Sequence, residues 1–124
     1  MQIETPMAEA LGRYLDLSSL ELKLTAQNMA NVDTPGYRTE GFDFAAAMKR
    51  SLDALGQPGG ENAALAEPQV ERVGGLLERP DGNNVSMDRE GMKMAEAQLE
   101  FRTGAELLKH EFTRVMDAIH VDQK

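Results

Sequence analysis

Three stretches carry residue types that could do chemistry. His110-Glu111 opens the helical zinc motif, in which two histidines four residues apart hold the metal and the glutamate acts as base. Position 114 is Arg, so the second ligand is missing and both residues read as helix surface. His120 stands where a helix C-terminus favours a cation, and it needs no catalytic role. Asp81-Gly82-Asn83-Asn84 starts like a calcium loop. The glycine expected at the sixth position and the glutamate at the twelfth are Ser86 and Met92 instead. The glycine pairs at 59–60 and 74–75 lack the Lys-Ser/Thr of a phosphate loop. Asn84-Val85-Ser86 is formally a glycosylation sequon but reads more simply as a turn and a helix cap. No spacing of Ser, His and Asp singles out a nucleophile. The expectation is a chain that is not an enzyme, with no catalytic residue, cofactor or metal.

A fourth stretch is richer, though not in reactive groups. From Asn28 to Tyr37 the chain reads Asn-Met-Ala-Asn-Val-Asp-Thr-Pro-Gly-Tyr. Asn28 and Asn31 share a helical face. Asp33 and Thr34 can hydrogen-bond the local backbone. Pro35 fixes φ and turns Thr34 away from the helical region, and Pro35-Gly36 is a type II turn signal. Tyr37 adds an apolar ring with a polar tip. A plain helix stop needs only Gly or Pro, so the amides are expected to satisfy backbone groups across a subunit boundary.

Two long helices must position this turn. The first is predicted over 6–32, capped by Thr5 with Pro6 at N1 and Glu9 in the first turn. Ala8, Leu11, Leu15, Ser18, Leu22, Thr25, Met29 and Val32 form its stripe, and Leu17, Leu20 and Leu24 widen the apolar surface outside it. The second is predicted over 86–120, with Ser86 as cap and Asp88 and Glu90 complementing the dipole. Its heptad stripe is Met87, Gly91, Met94, Gln98, Phe101, Ala105, Leu108, Phe112, Val115 and Ile119. Such a period argues for coiled-coil packing over roughly 50 Å. Gly91 and Gly104 are either tolerated weak points or places of close approach between subunits.

The fold class that follows is mainly α. Two terminal helices pair as an antiparallel coiled coil around an irregular middle, 33–85, within a single domain, 1–124. In the middle, Phe44 to Leu55 is predicted as a short helix, and Val70, Val73, Leu76 and Leu77 as one or two short strands. Residues 57–65 are expected to be mobile until they meet a partner.

A net charge of −8 argues against nucleic acid or an anionic membrane as partner. Aromatics make up 5% of the chain and tryptophan is absent, which limits the core, while eight methionines add adaptable packing surface. There is no cysteine and so no disulfide framework. No run reaches the length of a membrane span, and Met1-Gln-Ile-Glu-Thr-Pro6 does not read as a secretory leader.

The string Asn28, Ala30, Asn31, Thr34, Pro35, Gly36, Tyr37 resembles the N-terminal signature of the bacterial flagellar axial proteins, the subunits of rod and hook. Phe42-Asp43-Phe44, Asp81 to Glu90, and Lys93-Met94-Ala95-Glu96 resemble the proximal-rod members. The likeness covers roughly residues 8–44 and 81–120; it departs at Ala97 and Phe101, where Asn and Tyr are commoner. The resemblance implies a structural subunit of the basal-body rod, part of a helical drive shaft that spans the periplasm and transmits torque for motility. It implies export without a cleaved signal peptide, through the flagellar type III apparatus. The implied partners are other rod proteins, the rod-to-membrane-ring adaptor, the membrane ring and copies of the chain itself, with no nucleic acid and no direct membrane insertion. Leu11, Leu15, Leu22, Met29, Met94, Phe101, Leu108, Phe112, Val115 and Ile119 would then be the helix-packing and assembly residues. The alternative is a soluble helical adaptor or export chaperone that binds partner helices.

Overall fold

The computed structural model describes residues 5–121. Residues 1–4, weighed above as the start of a leader, lie outside them. The first helix, α1, runs Pro6–Ala30. Thr5 caps it, its hydroxyl oxygen accepting from the Ala8 amide at 3.0 Å, and Pro6 supplies the fixed φ of the first turn. The helix stops two residues short of the predicted Val32. Asn31 closes it, its amide N–H shared between the Gln27 and Asn28 carbonyls and its side chain donating to Gln27 O at 2.8 Å.

The short strand β1, Glu40–Gly41, follows the turn. It leads into α2, Phe44–Leu55, which occupies the predicted span. Asp43 accepts from the Ala46 amide at 3.0 Å and starts it; Gly56 ends it. A single turn of helix, α3 (Glu61–Ala64), falls within the segment expected to be mobile. Strand β2, Glu71–Arg72, pairs antiparallel with β1, Glu40 opposite Arg72 and Gly41 opposite Glu71.

The last helix, α4, runs Met87–Val121, 35 residues or about 52 Å. Ser86 Oγ accepts from the Arg89 amide at 3.3 Å. The helix returns antiparallel along α1: Thr5 meets Glu111 at one end and Asn28 meets Glu90 at the other.

The heptad period of α4 is real, but its phase is not the predicted one. The residues it buries are Glu90, Ala97, Gly104 and Glu111, each seven apart. The row Gly91, Gln98, Ala105, Phe112 and Ile119 lies one residue round from that seam and is exposed. Phe112 is 49% and Phe101 41% exposed. Met94, Leu108 and Val115 are half-buried on the flank. The reason is volume. A Cβ at Gly104 would stand 2.8 Å from Tyr14 Cδ1 and 3.1 Å from Leu15 Cδ2, so the helices approach too closely there for a large side chain. Gly104 thus marks a close approach, but inside the chain. Gly91 is exposed, with nothing near it.

On α1 the expectation is also corrected. Leu17 and Leu24, taken for outward positions, are buried at 1% and 7% exposure. Leu11, Leu15, Leu22 and Met29 are half-buried at the edge, and the centre of the stripe is filled by Ala8, Ser18 and Thr25. Helix α2 crosses α1 through Tyr14 and Phe44, whose rings meet edge-on at 5.3 Å. Buried Arg13 donates to Ser51 Oγ at 2.8 Å and to the Ala66 carbonyl, and Ser51 donates to Ala64 O, tying α1, α2 and the chain beyond α3 together.

Candidate functional site

The turn after α1 is built as its residues require. Tyr37 N–H bonds Thr34 O at 3.2 Å across Pro35-Gly36, and Gly36 has φ +76°, the pattern of a type II turn. Thr34 Oγ1 donates to Asn31 Oδ1 at 3.0 Å, bracing the turn on the helix cap.

Asn28 is the centre of this end of the molecule. Its Nδ2 donates to Glu40 O at 2.8 Å and to Glu90 Oε2 at 3.1 Å. Its Oδ1 accepts from the Tyr37 hydroxyl at 2.9 Å and from the Glu40 amide at 3.1 Å. A carboxamide has two donors and two acceptor sites, and here all four are used. One buried side chain therefore joins the turn, β1 and α4. Burial, then the nearby charge of Glu40, pushes the Tyr37 hydroxyl above the usual range, keeping it a donor. Glu90 is itself buried and takes Arg89 Nη1 on its other oxygen at 2.6 Å.

The segment before α4 supplies a second layer. Buried Asn83 donates to both Asn31 O and Thr34 O at 2.9 Å and accepts from the Val85 amide at 2.8 Å. Asn84 Oδ1 accepts from the Thr39 amide at 2.7 Å. Gly36 N–H bonds Asp81 O at 2.9 Å, and Gly82, at φ +86°, lies so close to Gly36 that an added Cβ would be 3.3 Å from its Cα. Arg79 reaches the Val32 carbonyl.

The amides of Asn28 and Asn31 are thus satisfied within one chain, not across a subunit boundary. The site residues divide by position. Asn28 is buried, Asn31 and Tyr37 are half-buried, and Ala30, Thr34, Pro35 and Gly36 face outward. Asn83, Asn84, Thr39 and Glu90 were not singled out as partners of the turn. Two successive amides directly before a helix were the available signal. The knot holds backbone in place and contains no group poised to react. Among the described residues no His, Cys, Asp and Glu grouping could hold a metal ion. No helix among them is long and apolar enough to cross a membrane.

The second candidate region is the apolar surface that α4 carries outside its seam with α1. Met92, Leu99, Phe101, Phe112, Met116 and Val121 are all exposed there. Phe112 and Met116 flank a shallow groove of about 510 Å³ floored by Leu15, Ala105 and Leu108. Large apolar side chains left exposed beside such a groove mark an interaction site.

No protein-family model matches the chain. Curated relatives do. A flagellar basal body rod protein FlgB of Cereibacter sphaeroides is 31% identical over 87% of this chain and 89% of its own length. The chain belongs to the FlgB family. The FlgB of Salmonella typhimurium is 29% identical over 85% of this chain and 86% of its own. That of Borrelia hermsii is 27% identical over 93% and 96%. These FlgB relatives thus align over 85–93% of this chain.

Proposed function

We propose that this chain is a structural subunit of the proximal rod of the flagellar basal body, with no enzymatic role. The observation that supports it most is the division of labour along α4. Small and polar residues fill the seam with α1, and the bulky apolar ones, Phe101, Phe112, Met116 and Ile119, stand outside it. A chain built to be complete alone would have placed those side chains in the seam. In a rod they pack against neighbouring subunits, and head-to-tail contacts that do not close onto themselves generate a helical tube. The partners are copies of the chain, the other rod proteins, the membrane-ring adaptor and the ring itself. The route to the periplasm is the flagellar export apparatus, without a cleaved signal. The Asn28 knot keeps the outer segment at a set position on the helical layer.

The test is complementation of a strain lacking the gene with Phe112→Asp. The purified variant should keep its helix content, while swimming is lost and basal bodies show no rod beyond the membrane ring. Normal swimming would remove the packing assignment. Intact rods with failed secretion of another subunit would move the chain to the adaptor class.

A further inference from the structure

Part-way along the hairpin, α1 and α4 face each other across two carboxyl groups. Glu21 of α1 is buried and Glu100 of α4 half-buried, and the Oε2 of each is shut from solvent with no hydrogen-bond partner. Burial of an acceptor oxygen with no donor on each of two packed helices calls for a proton, and both the charge of Glu21 and a hydrogen bond with it act on the Glu100 carboxyl. Two ionised carboxylates are acceptors only and cannot bond; with one proton between them they can. The charged and titratable groups around the pair are Tyr14 from α1 and Lys93 and Glu96 from α4. Lys93 Nζ stands 3.7 Å from Glu21 Oε1 and 3.6 Å from Glu96 Oε2, so one ammonium serves carboxylates on both helices.

We propose that Glu21 and Glu100 hold a single shared proton, and that its loss loosens the α1–α4 hairpin. The proton binds the helices together when present; without it, two like charges oppose each other in the seam. Burial first, then the charge of Glu21, its hydrogen bond and the charge of Glu96, push the Glu100 carboxyl up to about 7 from an ordinary 4.5, with Lys93 opposing. The folded chain therefore binds this proton more tightly than the unfolded chain does. The stabilisation is complete below about 4.5 and is lost as the pH rises through about 7. The subunit is firm in mildly acidic surroundings and loosened in alkaline ones. This is a property of the isolated chain and does not depend on the rod reading.

The test is a carbon-detected NMR titration of the full chain labelled at the glutamate carboxyl carbons, with urea unfolding on either side of neutrality. Glu100 should titrate with a midpoint near 7, and the unfolding midpoint should fall from about pH 5.5 to about pH 8.5. In Glu100→Gln that fall should flatten. Glu21→Gln serves as the second variant, and the titration needs none. Every glutamate titrating below about 5.5, or a fall as steep in both variants as in the parent, overturns the proposal.

Discussion

Thr5 Oγ1 donates to Glu111 Oε1 at 2.8 Å, across 106 residues of sequence. The same hydroxyl oxygen caps α1 by accepting from Ala8 N. One threonine thus starts the first helix and pins it to the last. Glu111 is held further by Arg114, which donates Nη2 to Oε1 at 2.8 Å and Nε to Oε2 at 3.2 Å.

Glu111 makes this end sensitive to acid. The hydrogen bonds from Arg114 and Thr5 hold its carboxyl below the usual range. Its contribution is therefore present above the unfolded-state value and lost as the pH falls through the folded one. Glu111→Gln should melt lower than the parent at neutral pH, and the gap should close on acidification. Circular dichroism melts across that range check it; a gap independent of pH would refute the role of the charge.

Asn28→Ala should be among the more damaging single changes outside the apolar core. It strands the Glu40 amide and carbonyl, the Tyr37 hydroxyl and one oxygen of buried Glu90, a loss of about 3 kcal/mol. Asn28→Asp should be worse, because it sets a second carboxylate against Glu90. Urea unfolding measures both, and hydrogen exchange at the Glu40 amide reports the local opening. An Asp variant more stable than the Ala variant would contradict the bonding pattern.

The two glycines of α4 should respond in opposite directions. Gly91→Ala meets open space and should stabilise by about 1 kcal/mol through helix propensity. Gly104→Ala drives a methyl group into the Tyr14 ring, which Phe44 backs edge-on, and should cost about 1–3 kcal/mol. Equal shifts in thermal melts would mean that the helices are not in close contact at Gly104.

Those glycines also show what could be read from the sequence. Capping was legible at two helices: Thr5-Pro6 and Ser86 each start one where their side chains indicate, whereas the Asp43 cap of α2 was not singled out. The period of α4 was legible because seven-residue spacing persists over its length. Its phase was not, because the rule that bulky apolar residues lie inside fails where a helix must also present a face to others. Ala97 and Gly104 lay outside the predicted stripe, and they are in the seam. The turn at Asn28–Tyr37 was legible as a turn, but its partners were not. Asn83 and Asn84 lie some fifty residues away and act through side-chain amides on backbone, which leaves no periodic trace. The pairing of β1 with β2 spans two residues each, too few for any alternation to show.

Glu90, Ala97, Gly104 and Glu111 stay buried at intervals of seven. A straight helix would drift about 20° per heptad and carry such a row off the contact. Keeping all four inside requires the two helices to wrap around each other with a left-handed sense. A left-handed pair winds tighter under left-handed twist and unwinds under the opposite one. The hairpin is therefore a mechanically chiral element, stiffer to torsion in one sense than in the other.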